Sequence, residues 1–362
     1  GEGASFKRGG GGGSGGNLVR SAAGDAQVLH YHDGLRNEHG GGRRIVGGTA
    51  ATGVYEWTTL ITKLGGASIT CTGELISATW MMTAAHCLLN SYNTGYRQPG
   101  VGRTEILYGC LDMTDAATCK KVDAKRYIAH PCYTPSDDQD HDDIALIELS
   151  SPVLEMQGKF ALVNGLNGSV GTIQEGRDII LAGFGARAPD GRDGRSSQLM
   201  EVTVQVVGKQ ACIAANPFSY NQKYIDFDHV VCTGGIAGKD SCNGDSGGPA
   251  IVMHDNAPWL VGVLSKGSQK PESSSNCALQ GRYGMYTLVH QYAGWIEAVL
   301  NGQESEWEKL ACGSCPCVGP AGSMTTSTPA VVSDSTKNVP HPLQLACVSM
   351  LYLCMNWVMC SR

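Results

Sequence analysis

Between residues 45 and 300 the chain is written in short β-type runs that are repeatedly broken by Gly, Pro, Asn and Asp. Thr104-Glu-Ile-Leu-Tyr108, Asp143-Ile-Ala-Leu-Ile-Glu-Leu149 and Asp178-Ile-Ile-Leu-Ala182 read as strands of this kind. Val202-Thr-Val-Gln-Val206 alternates cleanly, with Val202, Val204 and Val206 on one face and Thr203 and Gln205 on the other, as a half-buried strand requires. Many short strands in succession predict antiparallel barrels or a sandwich. The segment ends differently. Val289, Tyr292, Ile296, Val299 and Leu300 recur at helical spacing before Asn301-Gly302 supplies a stop, which predicts a terminal amphipathic helix packed back on the strands.

The two flanks have other compositions. Residues 1–44 carry a glycine run at 9–13 among polar residues, without apolar periodicity, and read as a flexible pro-segment. They hold no apolar signal stretch, so a signal peptide is expected upstream of Gly1. Residues 303–362 form a Cys-containing, Ser/Thr-rich extension: Cys312-Gly-Ser-Cys-Pro-Cys317, a polar spacer, and an apolar stretch over 343–360. Eighteen such residues just suffice to span a bilayer or to act as the removable tail of a lipid-anchor signal. Gln344, Ser349, Asn356 and three cysteines in the stretch argue for an ordinary tail, and both readings stay open.

A chain of 362 residues with 42% apolar content can bury a large two-part domain and still carry these extensions. The net charge is −6 with both signs interspersed, so no basic field exists to attract nucleic acid or acidic lipid. Fifteen cysteines, mostly widely spaced, favour an oxidising compartment and therefore a secreted, extracellular protein.

Three motifs carry chemistry. Met82-Thr-Ala-Ala-His-Cys87 sets a His at the end of an apolar strand, and His141-Asp-Asp-Ile-Ala-Leu-Ile147 sets an acid at the mouth of a buried one, where an ionised carboxylate must be paired. Asp240-Ser-Cys-Asn-Gly-Asp-Ser-Gly-Gly-Pro249 is the most specific, because its glycines let backbone N–H groups crowd toward one serine. The order His86, Asp143, Ser246 is that of the chymotrypsin-like arrangement.

The sequence resembles the trypsin and chymotrypsin family, from Ile45-Val-Gly-Gly48 through these three motifs to Gly284-Met-Tyr-Thr287 and Trp295-Ile296. The resemblance implies an all-β fold of two six-stranded antiparallel β-barrels with the C-terminal helix, spanning residues 45–302 and holding the active site between the barrels. It implies a serine endopeptidase: Ser246 as nucleophile, His86 as general base and acid, Asp143 fixing the His86 tautomer, and the N–H groups of Gly244 and Ser246 as the oxyanion hole. A catalytically dead relative would typically have lost a triad member, and none is lost here. By the same resemblance Ser265 hydrogen-bonds the triad acid, Asp240 forms the base of the primary pocket, and Gly267 and Gly284 are its walls, which together imply cleavage after Arg or Lys. Arg43-Arg44 before Ile45 implies a zymogen: a cut after Arg44 frees the Ile45 ammonium, which pairs with Asp245.

Disulfides Cys71–Cys87, Cys212–Cys232 and Cys242–Cys277 are implied by the family, while Cys110–Cys119 is read from spacing alone. Seven cysteines remain, among them Cys132, an odd number with a tie from Cys132 to the tail as one reading. No cofactor is expected. Tyr283, where the family commonly has proline, accompanies bound sodium in some relatives, and the acidic run 137–143 is a candidate for calcium or another cation against the plainer reading of a solvated loop. Lys266 replaces the usual aromatic beside the substrate backbone, and Phe184 replaces a tryptophan with a packing effect only. The expected partners are protein or peptide substrates with Arg or Lys, protease inhibitors, and an activating protease or the enzyme itself.

Overall fold

The computed structural model describes residues 45–63, 68–89, 97–99, 104–133, 142–190, 194–215, 228–268, 277–305 and 307. Strands are numbered in chain order. After the two-residue β1 (Thr49–Ala50), the first barrel takes β2 (Thr58–Lys63), β3 (Ser68–Leu75), β4 (Trp80–Thr83), β5 (Arg97–Pro99), β6 (Glu105–Tyr108), β7 (Lys120–Ala129) and β8 (Ala145–Leu149). The antiparallel ladder β7-β6-β2-β3-β4-β8 closes on itself through β7 and β8, giving six staves, with β5 added on the outside of β7.

The second barrel follows β9 (Leu162–Val163) and consists of β10 (Asp178–Gly183), β11 (Met200–Val207), β12 (Val230–Gly234), β13 (Pro249–His254), β14 (Ala257–Gly267) and β15 (Tyr283–Leu288). It closes as β11-β10-β13-β14-β15-β12 through β11 and β12, again six antiparallel staves. β1 extends β11, and β9 joins β14 in parallel. The two barrels expected from the resemblance are therefore present. Full closure removes the sheet edges that an open meander of such short strands would expose.

The sequence pattern sets these strands. In β11 Val202, Val204 and Val206 are buried while Thr203 and Gln205 are exposed, as the alternation requires. Where both faces are covered the pattern becomes continuous, as in β4, whose four residues are all buried. Leu60, Ile61, Met81 and Ile106 fill the first barrel, and Ile179, Leu181, Val204 and Val261 the second. Each such side chain contributes roughly 1.5–3 kcal/mol through removal from water.

A 3-10 turn at Val289–Tyr292 leads into the helix at Ala293–Leu300, and Lys209–Ala214 forms a short α-helix of its own. The helix stops where the sequence says: the Asn301 N–H donates to the Glu297 carbonyl at 3.0 Å, and Gly302 takes φ +71° with its N–H on the Val299 carbonyl at 3.1 Å. Trp295, Ile296 and Val299 join the core cluster that contains the first barrel, so the segment leaving the second barrel clasps the first. Packing runs on past residue 302. Arg126 donates to Glu304 Oε1 at 2.9 Å, and the buried Trp307 ring stands edge-on to His130.

Disulfides join Cys71 to Cys87, Cys110 to Cys119, Cys212 to Cys232 and Cys242 to Cys277. Cys132 is disulfide-bonded too, and the other six cysteines of the sequence lie outside the described residues. Residues 1–44, the acidic run up to residue 141 and the apolar stretch 343–360 also lie outside them. Among the described residues no helix is long and apolar enough to cross a membrane.

Candidate active site

His86 sits on a 3-10 turn, Ala85–Cys87, directly after β4, and the Cys71–Cys87 bond ties that turn to β3. Its ring lies with Nδ1 2.8 Å from Asp143 Oδ2, and its backbone N–H donates to Oδ1 at 2.9 Å. Asp143, two residues before β8, is 1% exposed. Burial by itself pushes a carboxyl up; here the charge and hydrogen bonds of His86 and the Ser265 hydroxyl, 2.6 Å away, outweigh it and hold Asp143 below its ordinary value. An ionised Asp143 can only accept. Nδ1 of His86 must therefore carry the proton, which leaves Nε2 unprotonated and able to act as the base.

Ser246 stands on the loop before β13, and this loop crosses to the first barrel. The Thr72 N–H donates to the Ser246 carbonyl at 2.8 Å, and the Thr72 hydroxyl to the Gly244 carbonyl at 3.0 Å. Gly247, with φ +77°, packs against Thr83 and Ala84, the residues that lead into the His86 turn; a Cβ there would lie 2.2 Å from Thr83 Oγ1. Only glycine lets the serine loop come so close to the histidine turn. Thr287 of β15 completes the seam by donating to the Asp143 carbonyl at 3.1 Å.

Asp240 is 5% exposed, and its Oδ1 accepts from the Ser241 N–H at 2.9 Å. Burial pushes its carboxyl up to about 7, a cost that the Ser241 hydrogen bonds offset only in part. Gly267 and Gly284 face each other as register partners on β14 and β15. A Cβ on Gly284 would lie 3.4 Å from Asp240 Oδ1, whereas one on Gly267 would meet nothing within 4 Å. The Asp240 carboxylate therefore lies beside the Gly284 end of these paired strands.

Asp245, beside the serine, is buried and accepts from the Gly185 N–H at 2.7 Å and the Cys242 N–H at 2.9 Å. Burial pushes it up to about 6. Glycines 183 and 185 make this cradle possible, since a Cβ on either would fall within 2.3 Å of an Asp245 oxygen, and Phe184 between them is fully buried. Ile45 is fully buried in the core of the second barrel, and Val46 bridges to Asp240 through the Asp240 N–H at 3.2 Å. Gly47, at φ +78°, lies against the Gly238 carbonyl, where any side chain would collide.

The Trypsin family model matches residues 45–296. The chain belongs to the trypsin family. Among its relatives are coagulation factor IX of Cavia porcellus, 29% identical over 265 residues that cover 70% of this chain and 80% of that one. The venom peptide isomerase heavy chain of Agelenopsis aperta is 30% identical over 70% of this chain and 98% of its own length. CLIP domain-containing serine protease B4 of Anopheles gambiae is 31% identical, with 70% and 69% covered. Like its family, the chain is a serine endopeptidase, a hydrolase of protein substrates.

Within this trypsin-family frame the structure brings His86, Asp143 and Ser265 into direct contact and sets Ser246, Gly244, Asp240, Gly267, Gly284, Ile45 and Asp245 around the same seam. Sequence reading gave no role of their own to Thr72, Thr287, Gly47 and the pair Gly183 and Gly185, because each acts through a neighbour brought close only by folding. Among the described residues two clusters offer metal-type donors, Cys71, His86 and Cys87, and His130, Cys132 and Asp142, but every cysteine in them is disulfide-bonded and has no thiolate to give.

Proposed function

We propose that this chain is a secreted zymogen which, once cut between Arg44 and Ile45, hydrolyses peptide bonds after Arg or Lys. The observation that carries the specificity is Asp240, a buried carboxylate at the base of a slot walled by Gly267 and Gly284, with no ion-pair partner among the described residues. A long basic side chain of the substrate fits that slot and supplies the missing charge. The paired cysteines support an oxidising, extracellular setting.

Catalysis then runs on Ser246. Nε2 of His86 takes the hydroxyl proton as Oγ attacks the scissile carbonyl carbon, and the C–N bond breaks when that proton passes to the leaving amine. Asp143 stabilises the imidazolium between the two steps. Water, deprotonated by the same Nε2, releases the acid from the acyl-enzyme. The Gly244 and Ser246 N–H groups hold the oxyanion, each worth about 3–4 kcal/mol in comparable sites.

Activation follows from Ile45. In the uncut chain its nitrogen is a peptide nitrogen and its φ is +30°, a strained value for a β-branched residue. A cut after Arg44 relieves that strain and creates an ammonium that, as in the family, pairs with the buried Asp245. Because Arg precedes the cut, an Arg-specific enzyme is able to activate itself. The test is to express the chain, cut it with trypsin, sequence the new N-terminus and assay Arg and Lys amides with and without Ser246→Ala. Activity that appears with the Ile45 terminus and vanishes in the variant is expected; cleavage at Ile45 without Ser246-dependent activity overturns the reading.

A further inference from the structure

Ala186 and Arg195 meet beside the Asp245 cradle. They form an antiparallel bridge, and the Ser196 N–H donates to the Phe184 carbonyl at 3.0 Å and to the Gly185 carbonyl at 3.2 Å. The segment at Arg195 and Ser196 is thus anchored on the turn whose Gly185 N–H holds Asp245. From that anchor the half-buried Arg195 side chain lies flat on Gly244. A Cβ built on Gly244 would stand 2.8 Å from Arg195 Cζ, 2.9 Å from Nη1 and 3.2 Å from Nε.

That position places a guanidinium against the Gly244 peptide, the proposed source of one oxyanion donor, and its charge favours the ionised Asp245. The groups acting on Asp245 are of mixed sign. Asp240 and Tyr286 face it from the pocket side and disfavour its charge or are disfavoured by it, while the Cys242 and Gly185 N–H groups and Arg195 favour its ionised form. Arg195 in turn feels the Asp245 charge against the cost of its own burial.

We propose that Arg195 is a positioning residue for the oxyanion hole, a second and permanently charged counter-ion of Asp245 that shares with the Ile45 ammonium the work of holding the peptide groups of residues 244–246. The proposal rests on the activation reading above and adds to it a charge that no cleavage creates. An α-ammonium has an ordinary pKa of about 8 and fades in mild alkali, whereas a guanidinium stays charged beyond about pH 12. With Arg195 in place, Asp245 keeps a cation after Ile45 loses its proton. Without it, the alkaline enzyme holds a buried carboxylate with no counter-ion, and the loop relaxes from its catalytic shape.

The experiment compares wild type, Arg195→Gln and Arg195→Lys, each cut to the Ile45 terminus as checked by sequencing, with kcat/KM for an Arg amide read from pH 7 to 10. Expected are an alkaline limb in Arg195→Gln that begins about one pH unit earlier and activity at pH 9.5 about tenfold below wild type, with Arg195→Lys close to wild type because its ordinary pKa is about 10.4. Superimposable profiles for wild type and Arg195→Gln overturn the proposal. So does an equal loss in the Gln and Lys variants at every pH, which would mark a packing role. Cut wild type no more active than the uncut chain would instead remove the activation reading itself, and this proposal with it.

Discussion

The two sides of the seam treat buried acids in opposite ways. Asp143, carried by the first barrel, is as buried as a carboxylate can be and yet sits below its ordinary pKa, because His86 and Ser265 already surround it. Asp240 and Asp245, carried by the second barrel, are pushed up to about 7 and about 6 by the same burial. The first barrel holds a finished electrostatic unit. The second holds two deficits, each shaped for positive charge from elsewhere: the substrate's basic side chain for Asp240, the new Ile45 ammonium for Asp245. The triad acid is preorganised, while recognition and activation are left conditional.

The sharpest way to break this contrast is to remove a deficit. Asp245→Asn should be cut normally after Arg44, since the cleavage site is untouched, yet lose about 3–5 kcal/mol of the coupling that shapes the oxyanion hole. N-terminal sequencing and active-site titration of the cut protein check this, and full activity would refute the activation switch. On the finished side the effect is smaller. Ser265→Ala removes one hydrogen bond to a buried charge, worth about 1.5–3 kcal/mol, so kcat should fall roughly ten- to a hundredfold with KM little changed. An unchanged kcat would mean that His86 alone secures Asp143.

How much of this was legible in the sequence follows the same division. Strands and the terminal helix were readable because alternation in β11 and the helical spacing of Val289, Tyr292, Ile296 and Val299 are local patterns that become patterns of burial, whereas two barrels in place of a sandwich came only from the family resemblance. His86, Asp143 and Ser246 were readable as motifs with neighbours of their own. What escaped was the support that acts at a distance. Thr72 reaches Gly244 across 172 positions and Thr287 reaches Asp143 across 144, so no window of sequence contains either pair. Arg195 is one more charged residue in a polar loop until folding lays it on Gly244.

The first barrel contains one acid that breaks its own rule. Glu74 of β3 is fully buried opposite Thr58 and Met82, with neither carboxyl oxygen hydrogen-bonded among the described residues, and burial holds its pKa well above the ordinary value. Below about pH 4 both folded and unfolded chains carry this proton. As the pH rises the unfolded chain ionises first, so folding loses about 1.4 kcal/mol per unit until the folded pKa is passed. Glu74→Met in the Ser246→Ala background should therefore be about 1–3 kcal/mol more stable than its parent at pH 7.5, with a gap that closes toward pH 4. Denaturant melts at the two pH values check the sign; a gap that does not shrink in acid would mean that Glu74 is ionised in the fold.

A titration of binding tests the Asp240 deficit directly. A carboxyl that titrates near 7 in the empty pocket must give up its proton before it can pair with a cation. Affinity for a small amidinium should then rise about tenfold per pH unit from pH 5 toward 7 and level off above, since each unit is worth about 1.4 kcal/mol. The measurement belongs in cut His86→Ala protein, which removes the active-site imidazole, by calorimetry, with an uncharged benzamide as control. The amide should bind with no such slope. If the amidinium is equally indifferent to pH from 5 to 7, Asp240 is already ionised in the empty pocket, and the second barrel's pocket is as complete without its ligand as the triad is.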